Sequence, residues 1–176
     1  MRHEPGHTDI RLPSCTIQGR EFGYRIRLDR EGTWFFNNSA VTNENICRYL
    51  FKHLTKDGEG GYVLITCDQK VPVEIEDTPF LVCRCSLNGG DGAKMTVTLN
   101  DGTVEVVPFG ALRLVGERHI YCSVKGGRHL ARFNRNSQFA LGSVLHFDSA
   151  ESRFYLEQQG CRTYILWQPD DLSAAS

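Results

Sequence analysis

A row of carboxylates in the segment KVPVEIEDTPF, residues 70–80, is the first feature of the sequence that could support chemistry. On an extended strand, Glu74 and Glu76 point to one face and the apolar residues point to the other, and Asp77 follows directly. Acids at this spacing could bind a cation through their oxygens or act as a general acid and base. The alternative is that they form the solvated face of an edge strand, where charge discourages edge pairing.

The end of the same segment favours the structural alternative. Asp77 can accept hydrogen bonds from a turn, Pro79 restricts Thr78 to extended geometry, and Phe80 can fill the core. We therefore interpret residues 76–80 mainly as a strand end, an acid-capped corner and an apolar anchor. An enzyme that uses these carboxylates is the alternative hypothesis.

A basic segment, VKGGRHLARFNR at residues 124–135, contains a glycine pair and could hold an anion. Its candidate ligand-binding residues are Lys125, Arg128, Arg132 and Arg135. If a helix starts near Arg128, its free N–H groups and these cations could together bind a phosphate or a carboxylate. The glycine pair is not a Walker loop, because the flanking spacing and the Lys-Ser/Thr pair are missing. The alternative is a basic helix face that balances acids elsewhere, since exposure is the default for Lys and Arg.

Cysteine and histidine residues give only a weak metal signal. Cys83 and Cys85 would share one face of a strand, with His119 and Cys122 further along, but structural zinc usually takes two CxxC-like pairs. We expect buried or half-buried thiols at these positions, with no metal and no cofactor. The sequence contains no GxSxG, HExxH or GxGxxG motif, so we assign no catalytic residue and favour a non-catalytic role.

The composition is that of a folded domain without a strong overall charge. The 176 residues are 40% hydrophobic and 23% charged, with a formal net charge of -1. No overall field would attract nucleic acid or an anionic membrane. Seven cysteines lack the even spacing of a disulfide framework, and no apolar run is long enough to span a bilayer. We therefore expect a cytoplasmic protein that contacts neither nucleic acid nor a membrane.

The elements that must position the candidate residues are mostly β-strands. Apolar alternation between turn residues predicts hairpins at residues 24–36, 95–107 and 152–167, and single strands at residues 61–67, 71–77, 80–87 and 119–125. The Asp101-Gly102 pair between β-branched runs gives the strongest hairpin signal. The NGGDG segment at residues 88–92 is the strongest break in the chain.

Two helices are expected between these strands. Residues 42–58 have Thr42 or Asn43 as a possible N-cap, apolar residues at helical spacing, and Gly58 as their end. Residues 129–145 also fit a helical pattern, although a glycine and a polar middle weaken it.

The predicted elements divide the chain into two similar halves. A lead-in at residues 1–20 precedes halves at residues 21–92 and 93–170, and residues 171–176 form a tail. Both halves share the order of a hairpin, a helix and a pair of strands, which suggests an internal structural duplication. The predicted class is α+β, with two helices on mostly antiparallel sheets.

Several of these segments resemble one protein family. LDREGTWFF, the helix that follows it, GGYVLIT and VEIEDTPFLV are similar to the bacterial family called domain of unknown function 1285. The last segment reads Ile75-Glu76-Asp77-Thr78-Pro79-Phe80, and IYCSVKGGRHLARFNR matches less clearly. The resemblance covers residues 24–135 and departs from the family in FLVCRCSL and around residues 36–41. It implies a two-part α+β fold with repeated motifs and a role in signalling or ligand binding, and it transfers no catalytic residue.

The leading functional hypothesis is a cytoplasmic binding or regulatory module. It would recognise a small anionic ligand or a protein partner in a groove between the two halves. The alternative is an enzyme in which Glu74, Glu76 and Asp77 act as acid, base or cation ligands.

Overall fold

A computed structural model describes four stretches of the chain: residues 25–66, 69–87, 93–116 and 118–169. The predicted lead-in at 1–20, the break at 88–92 and the tail at 171–176 lie outside the described residues. Two α-helices and three β-sheets make up the described part, so the predicted α+β class is confirmed.

The first sheet contains six strands in the order β3-β2-β1-β6-β5-β4. These strands are β1 (Ile26–Leu28), β2 (Trp34–Phe36), β3 (Ser39–Ala40), β4 (Leu54–Lys56), β5 (Tyr62–Thr66) and β6 (Gln69–Ile75). β1 and β2 are antiparallel, which confirms the hairpin predicted at residues 24–36. β1 and β6 run parallel, with Arg27 opposite Glu74, so the first and last strands of this half lie side by side.

Helix α1 (Glu44–His53) packs against the first sheet through its buried Leu50 and Phe51. Its N-cap is Asn43, whose side chain accepts hydrogen bonds from two backbone N–H groups of the first turn. The helix ends at His53 and not at Gly58 as predicted. Leu54 instead starts β4, because pairing with β5 buries its side chain in the sheet.

The second sheet contains seven strands in the order β16-β10-β11-β12-β7-β8-β9. These strands are β7 (Phe80–Leu87), β8 (Lys94–Leu99), β9 (Val104–Pro108), β10 (Leu112–Val115), β11 (His119–Val124), β12 (His129–Phe133) and β16 (Leu166–Gln168), with a 3₁₀ turn at Phe109–Ala111. β8 and β9 form the predicted hairpin, and Gly102 adopts a positive φ of 85° in its turn. The pairs β7–β12 and β10–β16 are parallel.

The segment predicted as a helix over residues 129–145 is divided into three elements. They are β12, helix α2 (Arg135–Gly142) and strand β13 (Leu145–Asp148). Gly126 and Gly127 have φ values of 68° and 82°, and they turn the chain back from β11 into β12. A helix starting near Arg128 is therefore wrong. The N-cap of α2 is Asn134, whose side chain accepts from the N–H of Ser137.

The last hairpin forms a sheet with β13. It consists of β14 (Arg153–Gln158) and β15 (Cys161–Tyr164), as predicted around Gly160. After β15 the chain leaves this three-stranded sheet, and β16 pairs with β10. In the described part of the chain no helix is long and apolar enough to cross a membrane.

The two larger sheets share a continuous core. The chain passes from β6 to β7 at residues 76–79, inside the half predicted at residues 21–92, so β7 belongs to the second sheet. Across this joint the Phe51 and Phe80 rings stack at 5.7 Å, and Trp34 meets Phe51 edge-on at 5.2 Å. The two sheets differ in strand number and order, and the internal duplication stays a prediction.

A buried ion pair also joins the two sheets. Arg132 Nε on β12 lies 2.8 Å from Asp77 Oδ2, although Nε makes no well-directed hydrogen bond. The Tyr121 hydroxyl donates to Asp77 Oδ1 at 3.1 Å, and Arg132 Nη2 donates to the carbonyl of Arg30. The Arg132 and Asp77 side chains are only 11% and 18% exposed. The corner after β6 is therefore fixed to β11 and β12.

Two substitutions on α2 should separate its buried face from its exposed face. Leu141 is 1% exposed and Phe139 is 83% exposed. We expect Leu141→Ala to lower the free energy of unfolding by about 2–5 kcal/mol, because it leaves a cavity. Phe139→Ala should change it by less than about 0.5 kcal/mol. Urea unfolding of both variants tests this, and similar losses would contradict the packing of α2.

Removing the charge of Asp77 should destabilise the protein far more than removing that of Glu74. Asp77→Asn removes the less exposed of the two carboxylates beside Arg132 and leaves only the exposed Glu31 at 3.7 Å. This should cost up to about 3–5 kcal/mol. Glu74 pairs with Arg25 at 2.8 Å, but both side chains are more than half exposed. Glu74→Gln should therefore cost about 0.2–1 kcal/mol. Equal unfolding free energies for the two variants would show that the Asp77 pair does not hold the sheets together.

Candidate functional site

The three candidate carboxylates each lie against an arginine. Glu74 accepts from Arg25, and Glu76 accepts from Arg27 and from the backbone N–H of Arg30. Asp77, which follows β6, is the largely buried partner of Arg132 on β12. The Arg30 backbone N–H and the Arg27 side chain lower the pKa of Glu76, outweighing the smaller effect of its desolvation. Such a group stays ionised at neutral pH and is a poor general acid.

The three carboxylates and their arginine partners therefore fix the corner that follows β6, and we call residues 74–77 with these arginines the braced corner. Among the described residues, no group of three or more acidic, histidine or cysteine side chains is arranged to hold a metal ion. A cation at the row would first have to displace the arginines. The sequence predicted that Asp77 caps a turn, whereas its partners are Tyr121 and Arg132. Phe80 is 4% exposed, as expected of an apolar anchor.

The cysteines of the second sheet are protonated thiols at neutral pH. Burial raises the pKa of Cys83 and Cys85, and it raises the pKa of Cys122 to about 12. A thiol must ionise before it can act as a nucleophile or a metal ligand. These positions therefore have the environment of packing residues, consistent with the weak metal signal of their spacing.

A groove of about 490 Å³ lies between the two larger sheets, and we call it the inter-sheet groove. From the first half it is lined by residues 51–55 and Ile65, at the end of α1 and on β4 and β5. From the second sheet and its turns it is lined by Phe80, Asp101, Lys125, Arg128 and His129. Two of the four predicted basic residues, Lys125 and Arg128, therefore lie in one groove.

The floor of the groove is aromatic. The Phe80 ring contacts Phe51 on one side and His129 on the other, with a centroid separation of 5.3 Å to His129. The Tyr62 ring stacks on His129 at 5.8 Å, and its hydroxyl lies 3.3 Å from His129 Nδ1. These contacts fix the imidazole at the boundary between the sheets.

Lys125 is already neutralised by acids of the β8–β9 hairpin. Its Nζ lies 2.7 Å from Asp101 Oδ2 and 3.5 Å from Glu105 Oε1, and it also bonds Thr103. Burial would raise the pKa of Asp101, but hydrogen bonds from Lys125 and Thr103 outweigh it and lower that pKa. Lys125 therefore contributes structure to the groove and little free charge.

Arg128 keeps its charge available at the rim. Its Nε donates to the carbonyl of Lys125 at 3.0 Å, which orients the exposed guanidinium. No acid in the described part of the chain pairs with it at salt-bridge distance. Beside it, burial lowers the pKa of His129, and the positive charges of Lys56, Arg128 and Lys125 lower it further. The groove thus has a positive potential at its His129 end.

The other two predicted basic residues lie in a different place. Arg132 and Arg135 line a second cleft of about 560 Å³ beside α2, with Arg118, His119, Gln138 and Phe139. We call it the α2 cleft. The predicted site residues are therefore divided among the braced corner, the inter-sheet groove and the α2 cleft, and do not form one patch.

Sequence reasoning missed the aromatic part of the groove. Phe51 was available only as an apolar helix residue, and Phe80 was predicted to fill the core. His129 lies inside the basic segment, and on a strand it would share one face with Ala131 and Phe133. This spacing of two residues was the signal that could have identified His129 as a strand residue.

Comparisons with known proteins bear on the fold. Residues 20–78 match the family model described as the N-terminal domain of the domain of unknown function DUF1285. The match ends at the corner where the chain leaves the first sheet. A search of curated proteins finds no match.

Two solved structures share the fold. A DUF1285 family protein from Silicibacter pomeroyi DSS-3 is 22% identical, with a TM-score of 0.64 over 80% of this chain and 79% of that chain. A DUF1285 family protein from Shewanella baltica OS155 is 17% identical, with a TM-score of 0.57 over 69% of this chain and 92% of that chain. The match of residues 20–78 to the N-terminal domain of the DUF1285 family, together with these two structures, therefore confirms the resemblance found in the sequence.

Proposed function

We propose that the protein is a binding module whose inter-sheet groove takes a small anionic ligand. The observation that carries the proposal is Arg128, a cation without an ion-pair partner in the described residues, which lies beside His129 in a groove that Phe80 also lines. A guanidinium forms two parallel hydrogen bonds with a carboxylate or a phosphate. The anionic group of the ligand would bind Arg128 at the rim.

The aromatic floor indicates that the ligand also has a planar apolar part. Phe51 and Phe80 line the groove but are only 7% and 4% exposed, so a ring would contact them over a small area while its anionic group reaches Arg128. A groove of about 490 Å³ lies in the size range of small-molecule sites.

The charge around His129 supports an anion over a cation or a neutral ligand. The nearby cations that lower the pKa of His129 would also repel a positively charged ligand. A bound anion would offset this repulsion and favour the protonated imidazole. A catalytic use of Glu74, Glu76 and Asp77 has no comparable support, because arginines already neutralise all three.

The module would act in a reducing compartment. Five cysteines in the described residues are free thiols, which accords with a cytoplasmic location. A role in signalling would follow if ligand binding changed what the protein contacts. We include this regulatory role in the proposal, because it depends on the same ligand.

Binding can be tested with phenyl phosphate, which combines a ring with an anion. We expect it to bind more tightly than inorganic phosphate, which has no ring, and more tightly than phenol, which has no anionic group. Arg128→Ala should weaken phenyl phosphate binding about tenfold or more, because a charge-assisted hydrogen bond is lost. Calorimetric titration gives the affinities, and shifts of the His129 imidazole resonances locate the ligand.

Arg84→Ala is the matched control for Arg128→Ala. Arg84 is exposed on β7, and no acid in the described stretches forms a salt bridge with it. The control removes one surface cation and should leave the affinity unchanged. Phenyl phosphate binding that survives Arg128→Ala, or that leaves the His129 resonances unmoved, would refute the proposed site.

The binding of an anion should strengthen as the pH falls. The pKa of His129 is lowered in the free protein, so a bound anion that favours the imidazolium is accompanied by proton uptake below about pH 6.5. Benzenesulfonate suits this test, because its own charge is constant over the range. Its affinity should rise on acidification in the native protein, and the rise should disappear in His129→Gln. A flat profile in the native protein would contradict the role of His129.

The same pKa shift makes the free protein less stable in mild acid. The unfolded chain protonates its histidine at about pH 6.5, before His129 protonates in the folded state. The free energy of unfolding should therefore fall as the pH drops below this value. Denaturant unfolding of the native protein and His129→Gln should show a smaller loss in the variant.

A further inference from the structure

The α2 cleft is a concentrated basic surface that the inter-sheet groove does not involve. Arg118, Arg132 and Arg135 line it together with His119, and Glu31 is the one acid among its lining residues in the described stretches. Glu31 lies 3.7 Å from Arg132, which is also the partner of Asp77. Arg118 and Arg135 have no acid at salt-bridge distance in the described part of the chain, so no described carboxylate compensates their two guanidinium charges.

The position of Arg135 adds to this positive charge. It is the first residue of α2, and the first turn contains no acidic side chain. The N-terminus of a helix carries a partial positive charge, so a cation there is unfavourable unless an anion is nearby. Gln138 on the same helix donates to the backbone carbonyl of Arg118, which holds the loop before β11 against α2. The cleft is therefore a fixed surface with local charge repulsion.

An exposed aromatic residue lies on the same side of the helix. Phe139 is 83% exposed and lies four residues after Arg135, one turn further along α2, and both line the cleft. Aromatic residues and arginine are enriched in protein interfaces relative to other surfaces. A small inorganic anion could neutralise the guanidinium groups, but it would leave the Phe139 ring in water.

We propose that the α2 cleft is a docking surface for an acidic segment of a partner protein. Carboxylates of that segment would pair with Arg118 and Arg135, and an apolar side chain would cover Phe139. The charge of the cleft is complementary to such a segment, whereas a nucleic acid strand needs a basic groove that follows its backbone. This proposal is independent of the anion site, because none of these residues lines the inter-sheet groove.

The proposal can be tested with a fluorescein-labelled peptide in which glutamates flank one leucine. We expect saturable binding by fluorescence anisotropy, with an affinity that falls as the salt concentration rises. Arg135→Glu should weaken binding at least about tenfold, because it replaces an attraction by a repulsion. The variant should fold normally, since glutamate suits the first turn of a helix better than arginine does.

Matched controls separate this surface from general charge effects. Arg84→Glu changes the net charge as much as Arg135→Glu does, and it should leave peptide binding unchanged. Phe139→Ala should weaken binding of the leucine peptide and should have little effect on a version with alanine in place of leucine. Arg128→Ala should not affect the peptide, which distinguishes this surface from the anion site.

Three outcomes would overturn the proposal. One is equal binding of a peptide with glutamines in place of the glutamates, and another is an equal loss in Arg84→Glu and Arg135→Glu. The third is a single-stranded oligonucleotide that displaces the peptide and binds more tightly, since it would assign the cleft to nucleic acid. Circular dichroism of each variant confirms that a loss of binding is not a loss of folding.

Discussion

The joint between the two larger sheets and the inter-sheet groove both depend on the packing of the Phe80 ring. The chain leaves the first sheet at residue 76 and enters the second at Phe80, whose ring stacks on Phe51 and meets His129 edge-on. The ring therefore closes the core and also forms the floor of the inter-sheet groove. Lys125 lies over the same ring at 5.1 Å, so the hairpin turn between β11 and β12 is positioned by it as well.

The carboxylate row next to Phe80 explains why charged residues at a joint need not be catalytic. Glu74 and Glu76 lie beside Arg25, which precedes β1, and Arg27, which is on β1, because β1 and β6 pair in parallel. Asp77 is only 18% exposed, and a carboxylate so far removed from water is tolerated when a cation and a hydrogen-bond donor compensate for its desolvation. The same three residues that could hold a cation in an open site are instead used to fix the corner.

The sequence predicts the local elements well and the long-range pairings poorly. The hairpin at Asp101-Gly102 and the N-cap at Asn43 depend on neighbouring residues, and the structure contains both. The neutralisation of Lys125 depends on Asp101 and Glu105, which are more than a dozen residues away along the chain, and no local pattern indicates it. The groove itself arises from the packing of two sheets, so its lining residues are spread over both halves.

The basic segment shows how one change of secondary structure alters a functional interpretation. On a helix, Arg128, Arg132 and Arg135 would recur at intervals of four and three residues and share one face. In the structure Arg128 ends a hairpin turn, Arg132 lies on β12, and Arg135 starts α2. Because side chains of a strand alternate between its faces, His129 is directed into the inter-sheet groove while Arg132 is directed to the α2 cleft. The single anion site predicted from the sequence thus becomes two surfaces on opposite sides of β12, and each has at least one arginine without an acid partner among the described residues.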